Sequence, residues 1–170
     1  MMITNQIRES LQKVCFALNK NNVEYIVVGG VAVGYHGYQR ISGLSMHKQE
    51  IKTDLDFWYN PTIGNFTNLI KALQYLQVKN DSLQKIIFDP KKTFLKIPHS
   101  NFHTDFLPQM IGLDSFSECK RNASKEVLDG NTLYILGYDD LIKNKMAVGR
   151  NIDKEDIKAL NKSKRGNDKS

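Results

Sequence analysis

Two aspartates, Asp54 and Asp56, stand two residues apart in Thr53-Asp-Leu-Asp-Phe-Trp-Tyr59 and carry the sharpest chemical signal in this 170-residue chain. The segment alternates as a strand does. Both carboxylates then project from one face, with Cα atoms about 6.6 Å apart, while Leu55 and Phe57 turn to the opposite, apolar side. Carboxylates placed this way repel each other unless a cation lies between them. Mg²⁺ suits them, since it is commonly held by one or two carboxylates plus substrate phosphates. A solvent-facing strand edge with two ordinary acids has the same tripeptide. Asp105 favours the metal site: in Asn101-Phe-His-Thr-Asp-Phe-Leu107, His103 and Asp105 face one way and Phe102, Thr104 and Phe106 the other. If that strand pairs beside the first, three acids converge. Such a set suits two metal ions that stabilise the attacking and leaving oxygens of a phosphoryl displacement.

Two further features complement the acids. Gly29-Gly30 follows the β-branched run Glu24-Tyr-Ile-Val-Val28, and a glycine turn after a buried strand lets backbone approach a phosphate closely. Plain turns use the same pair. In Tyr138–Val148, helical spacing puts Leu141, Ile142, Met146 and Val148 on one face, with Lys145 near its middle and Lys143 opposite. A lysine there must either snorkel to water or meet an anion.

The elements that must position these residues are legible from periodicity. Ile7, Leu11, Val14 and Leu18 mark an amphipathic helix that stops near Asn21-Asn22. The strand at 24–28, a short helix at Val31–Tyr35 and the acidic strand Thr53–Tyr59, stopped by Asn60-Pro61, come next. Phe66, Leu69, Ile70, Leu73 and Leu76 define another helix. Three strand-like pieces lie around Thr93–Ile97, Asn101–Leu107 and Asn131–Leu136, and Ser82–Phe88 has no clear period. Helices at Tyr138–Val148 and Asp153–Leu160 close the domain, with Asp153 and Asp156 at capping-box spacing. The expected fold class is α+β: a single domain over residues 1–160 with a small mixed sheet flanked by helices. Asn161–Ser170 reads as a basic, flexible tail, carrying Lys162, Lys164, Arg165 and Lys169 against Asp168.

Composition bounds the function. With 41% hydrophobic and 25% charged residues, the chain is of ordinary globular type and has room for one domain. A net charge of +6 and a pI near 9.2 lean toward a polyanionic partner such as RNA or a nucleotide, or reflect only a charged surface. Two isolated cysteines, Cys15 and Cys119, exclude a zinc ribbon and a disulfide-stapled mini-fold. The longest nearly apolar run, Tyr25–Val33, is interrupted by two glycines and falls far short of the roughly 20 residues that cross a bilayer. Asn5, Gln6, Arg8 and Glu9 occupy the place of a signal-peptide core, so the expected location is cytoplasmic, with no membrane partner.

Taken in order, the motifs Val27-Val-Gly-Gly-Val-Ala-Val33, Tyr35-His-Gly-Tyr-Gln-Arg40, Thr53-Asp-Leu-Asp-Phe57, His103-Thr-Asp-Phe-Leu107, Asp140-Leu-Ile-Lys-Asn-Lys-Met-Ala-Val-Gly-Arg150 and Asp153-Lys-Glu-Asp-Ile157 resemble the nucleotidyltransferase superfamily. This is the fold of DNA polymerase β, and the small bacterial proteins related to the AbiEii/AbiGii toxin nucleotidyltransferases look nearest. The resemblance spans residues from about 23 to 160. It implies that Asp54, Asp56 and Asp105 are catalytic: Asp54 and Asp56 hold two Mg²⁺ ions, and Asp105 completes one metal site and aligns or deprotonates the acceptor hydroxyl. It further implies that Gly29 and Gly30 cradle an NTP and that Lys145 meets the triphosphate, with Arg40 and Arg150 as additional contacts; Arg150 could instead cap a helix C-terminus. The implied reaction moves an NMP from an NTP to an RNA, for example a tRNA, or to a protein acceptor. A cognate antitoxin is an implied partner. A non-catalytic, nucleotide-holding relative working through a protein partner is the alternative; a D-x-D enzyme acting on a sugar nucleotide leaves the C-terminal motif unexplained. Two departures stand out. Gly30 replaces the family's frequent serine, and the stretch from Gly30 to Asp54 is long, its excess falling in Ile41–Lys52, which reads as a substrate-gating lid or a tolerated insertion.

Overall fold

The computed structural model describes residues 5–37, 53–79 and 81–169. Arg40 and the Ile41–Lys52 stretch lie outside the described residues. The chain opens with α1 (Asn5–Lys20), whose Ile7, Leu11, Val14, Cys15 and Leu18 are buried as their spacing requires. It ends where Asn22 takes a left-handed φ of 55°. The next strand, β1 (Tyr25–Val28), is buried at all four residues, which marks it as central. It leads directly into α2 (Gly29–Tyr35).

The described strands form one mixed sheet in the order β3-β4-β2-β1-β6-β5. Its acidic half consists of β2 (Thr53–Tyr59), antiparallel to β1, and β4 (Phe102–Leu107), parallel to β2, with β3 (Leu95–Pro98) as the antiparallel edge. A parallel β2–β4 pair needs a crossover. The connection contains α3 (Ile63–Tyr75), capped by the Thr62 hydroxyl accepting from the Asn65 N–H at 3.2 Å. The other half is the hairpin of β5 (Ser124–Leu128) and β6 (Asn131–Ile135). It closes through Asp129-Gly130, both at positive φ (47° and 81°), and β6 runs parallel to β1.

Side-chain alternation assigns the two faces. Phe57 stacks on Phe106 at 5.2 Å between ring centroids, and Tyr59 meets Phe66 of α3 at 6.2 Å, so α3 covers the apolar side opposite the acids. The acid side is covered further along the strand, where Trp58 packs edge-on at 5.3 Å against Phe116 of α4 (Phe116–Asn122). After β6 the chain forms α5 (Tyr138–Val148) and α6 (Asn151–Asn167), packed on each other. Among the described residues no helix is long and apolar enough to cross a membrane.

Four details depart from the sequence reading. Neither α4 nor β5 was expected: α4 buries only Phe116 and Cys119, and β5, Ser-Lys-Glu-Val-Leu, is an edge strand too polar to give an apolar run. The last helix begins at Asn151 rather than Asp153 and carries residues 161–167 as helix rather than as a flexible tail; the Tyr138 hydroxyl donates to Asn161 Oδ1 at 2.8 Å. The unpatterned 82–88 stretch holds a 3₁₀ turn, Leu83–Lys85. Met146, placed on the buried stripe of α5, is 68% exposed.

Buried Asn65 ties three elements together: its Oδ1 accepts from the Glu24 N–H (2.7 Å), and its Nδ2 donates to the carbonyls of Glu24 and Asn60 (both 2.9 Å). Replacing it with leucine strands these backbone groups. Asn65→Leu is expected to lose about 3 kcal/mol in urea-monitored unfolding.

Candidate active site

The site is assembled by strand register. Asp54 pairs with His103 and Asp56 with Asp105 across the parallel β2–β4 contact, and Asp56 also stands opposite Val28 at the end of β1. Alternation buries Leu55, Phe57, Phe102, Thr104 and Phe106, leaving Asp54, Asp56, His103 and Asp105 half-buried on the other face. The three acids therefore share one face, as their spacing and that pairing require. The row continues to Lys96 on β3, the register partner of Asp105. Burial pushes the Asp105 carboxyl above its ordinary range; Lys96 opposes this, the neighbouring Asp54 adds to it, and His103 opposes it again.

Gly29 closes one end. Its φ of +65° is left-handed, and a Cβ built there would land on the Asp56 carboxylate, so both conformation and contact require glycine. The backbone turn thus lies directly against a candidate metal ligand. Gly30 is buried in the first turn of α2.

Lys145 finds its anion inside the chain. It is buried, with Nζ 3.0 Å from Asp153 Oδ1 and 3.1 Å from Asp156 Oδ2, and both carboxylates are fully buried. Within the chain the anion it meets is this pair on α6, where the ammonium is enclosed between the two helices. Asp153 also accepts from Arg150 three times: the backbone N–H at 3.1 Å, Nε at 2.7 Å and a terminal nitrogen at 3.1 Å. Burial alone would raise the Asp153 carboxyl, but the hydrogen bonds from Arg150 and Lys145, with the Lys145 charge, hold it at about 2. The Arg150 side chain stays 66% exposed. Its hydrogen bond to Asp153, and beyond it the charges of Asp153, Asp156 and Asp56, favour its protonated form, so Arg150 lies within the field of the acidic face.

Two solved structures share this architecture at low sequence identity. The lincosamide antibiotic adenylyltransferase LnuA, bound to lincomycin, aligns over 94% of this chain and 97% of its own, with a TM-score of 0.55 and 13% identity. The chain shares the fold of this adenylyltransferase. The solution structure of the antibiotic-resistance factor ANT(2'')-Ia aligns over 95% of this chain and 85% of its own, with a TM-score of 0.52 and 13% identity. No protein-family model matches the sequence, and no curated protein does.

The acidic face fits a hard divalent ion. Asp105 Oδ1 is buried with no hydrogen-bond partner among the described residues, and the donor set is carboxylate oxygen. Among the described residues no three His, Cys, Asp or Glu side chains converge closely enough to enclose an ion by themselves. Four participants carry no role in the sequence reading. Strand alternation had placed His103 on the acid face without giving it a role. Lys96, between buried Leu95 and Ile97, carried the same signal; Asp153 and Asp156 were read as caps, although a buried lysine on the preceding helix demands a counter-charge.

Removing the cation from a buried pair of acids is severe. Lys145→Met is expected to lose about 3–5 kcal/mol of unfolding free energy by urea titration. The pH dependence has a definite sign. Asp153 is depressed in the folded state to about 2, so its contribution is complete above its unfolded pKa near 4 and fades as pH falls toward 2. Asp153→Asn should therefore flatten the stability profile between about pH 4 and 2, read from thermal unfolding across that range.

Proposed function

We propose that this protein is an Mg²⁺-dependent nucleotidyltransferase that moves a nucleoside monophosphate from an NTP to a hydroxyl acceptor. The carrying observation is the register of β2 on β4, which sets Asp56 beside Asp105 with Asp54 on the same face and the Gly29 turn against Asp56. The fold shared with LnuA supports the same reading. Two Mg²⁺ ions, when bound, supply charge neutralisation for the triphosphate and the acceptor oxygen.

Asp54 and Asp56 would hold the ions and so orient the triphosphate along the Gly29-Gly30 turn. Asp105, with its carboxyl raised by burial, accepts the proton of the acceptor hydroxyl. The acceptor oxygen bonds to the α-phosphorus as the bond from that phosphorus to the bridging oxygen of the leaving group breaks, so pyrophosphate departs. Arg150, exposed beside the acids and oriented by Asp153, offers its guanidinium to phosphate oxygens. Lys145 acts only indirectly, by fixing α5 against α6. The +6 charge and the exposed Lys162, Lys164 and Arg165 of α6 favour RNA over protein as the acceptor. Action in the cytoplasm as the toxin of a toxin–antitoxin pair belongs to the same proposal.

The experiment incubates the full chain with Mg²⁺, each α-³²P-labelled NTP in turn, and total RNA. Transfer of label is expected, with a drop of at least about 10³-fold in Asp54→Ala and Asp56→Ala and of about 10²-fold or more in Asp105→Asn. Saturable NTP binding without transfer to RNA or to protein would instead leave a nucleotide-holding module.

A further inference from the structure

One contact on the acidic face has no place in that reaction. His103 and Asp54 are register partners on β4 and β2, and Nδ1 of the imidazole lies 3.6 Å from Asp54 Oδ1. That is too long for a hydrogen bond. Yet Nδ1 is buried and has no hydrogen-bond partner among the described residues. Only 20% of the His103 side chain and 35% of the Asp54 side chain are exposed, so water does not freely screen them from each other. Nδ1 and the carboxylate oxygen repel where both present lone pairs, so either the ring proton sits on Nδ1, in the neutral or the charged imidazole, or a metal ion lies between the two atoms. A proton on Nδ1 favours a contact of ordinary hydrogen-bond length, shorter than the one seen. The spacing suits the ion: two ligands each about 2.1 Å from a common metal stand roughly 3.0–3.6 Å apart as their angle opens from 90° to 120°. Two residues along the same strand and on the same face, Asp105 Oδ1 is also buried without a partner, so the local deficit is one of positive charge.

We propose that His103 Nδ1 and Asp54 together ligate one of the two ions, making this position a mixed nitrogen–oxygen site that takes a first-row transition ion in preference to Mg²⁺. The proposal rests on the metal-dependent reading of the acidic face and refines it. Imidazole is a poor ligand for Mg²⁺, whereas affinity for nitrogen-containing sites rises along the first-row series from its weakest member, Mn²⁺. The other position, beside Asp56, would offer only oxygen and remain suited to Mg²⁺.

Mn²⁺ alone, added to the full wild-type chain, is the probe. Its free-ion electron paramagnetic resonance signal gives the bound fraction, and electron spin echo modulation reports nitrogen in the coordination sphere. Bound Mn²⁺ with ¹⁴N modulation is expected, together with at least about tenfold weaker competition by Mg²⁺ for that position. In His103→Gln the modulation should vanish and Mn²⁺ affinity fall about tenfold, with Mg²⁺ affinity nearly unchanged. Bound Mn²⁺ without modulation, and with His103→Gln binding as wild type does, overturns the proposal while leaving the transferase reading intact; His103 is then only a charge partner of Asp54. Mn²⁺ binding indifferent to Asp54→Asn, or absent at millimolar concentration, overturns the proposal, and the transferase reading then stands or falls on the label-transfer experiment with NTP present. The wild-type spectrum needs no substitution and stands even if a variant misfolds.

Discussion

The parallel contact between β2 and β4 is the constraint from which the candidate chemistry follows. Side chains in a sheet repeat every two residues, so a one-residue slip of β4 would send His103 and Asp105 into the apolar layer and turn Phe102, Thr104 and Phe106 outward. The register is held against that slip by burial: Phe106 stacks on Phe57, and both are fully enclosed. The core opposite the acids is thus what keeps the acids together. Three like charges on one face are an unfavourable arrangement that the apolar face tolerates, and Lys96 on the neighbouring edge strand relieves part of it.

A second polar cluster does a different task. Lys145, Asp153 and Asp156 sit inside the α5–α6 contact, and Asp153 reaches both the N-terminal backbone of α6 and the guanidinium of Arg150. A buried ion cluster is seldom the most stable filling for such a space, but it fixes geometry. Here it fixes the path of the chain between two helices and the direction of an exposed cation next to the acidic face. The glycine at 149, in the left-handed region at φ 67°, ends α5 and permits that turn.

Most of this architecture was legible from periodicity because the elements near the site are strongly patterned. The alternation at 53–59 and 101–107 named the acids, their common orientation and the apolar partners beneath them. What periodicity could not supply was partner choice. A lysine on an apolar stripe demands an anion, but whether it finds a phosphate or a carboxylate depends on how α6 packs, which no local spacing encodes. Similarly, α4 and β5 bury too few side chains to leave a pattern, and the polar composition of 161–167 concealed a helix supported by contacts from Tyr138 and from the backbone at Gly37.

The two outermost strands have a consequence for how this molecule meets copies of itself. An open sheet ends in unsatisfied backbone groups that invite strand addition and, from there, aggregation. One border here, β3, has only four residues, displays Lys96 and finishes on Pro98, which has no N–H to offer. The other, β5, is five residues long with Lys125 and Glu126 at its centre. Short, charged and proline-terminated margins make poor templates for strand addition, so the sheet that holds three crowded acids is also discouraged from growing into a fibril.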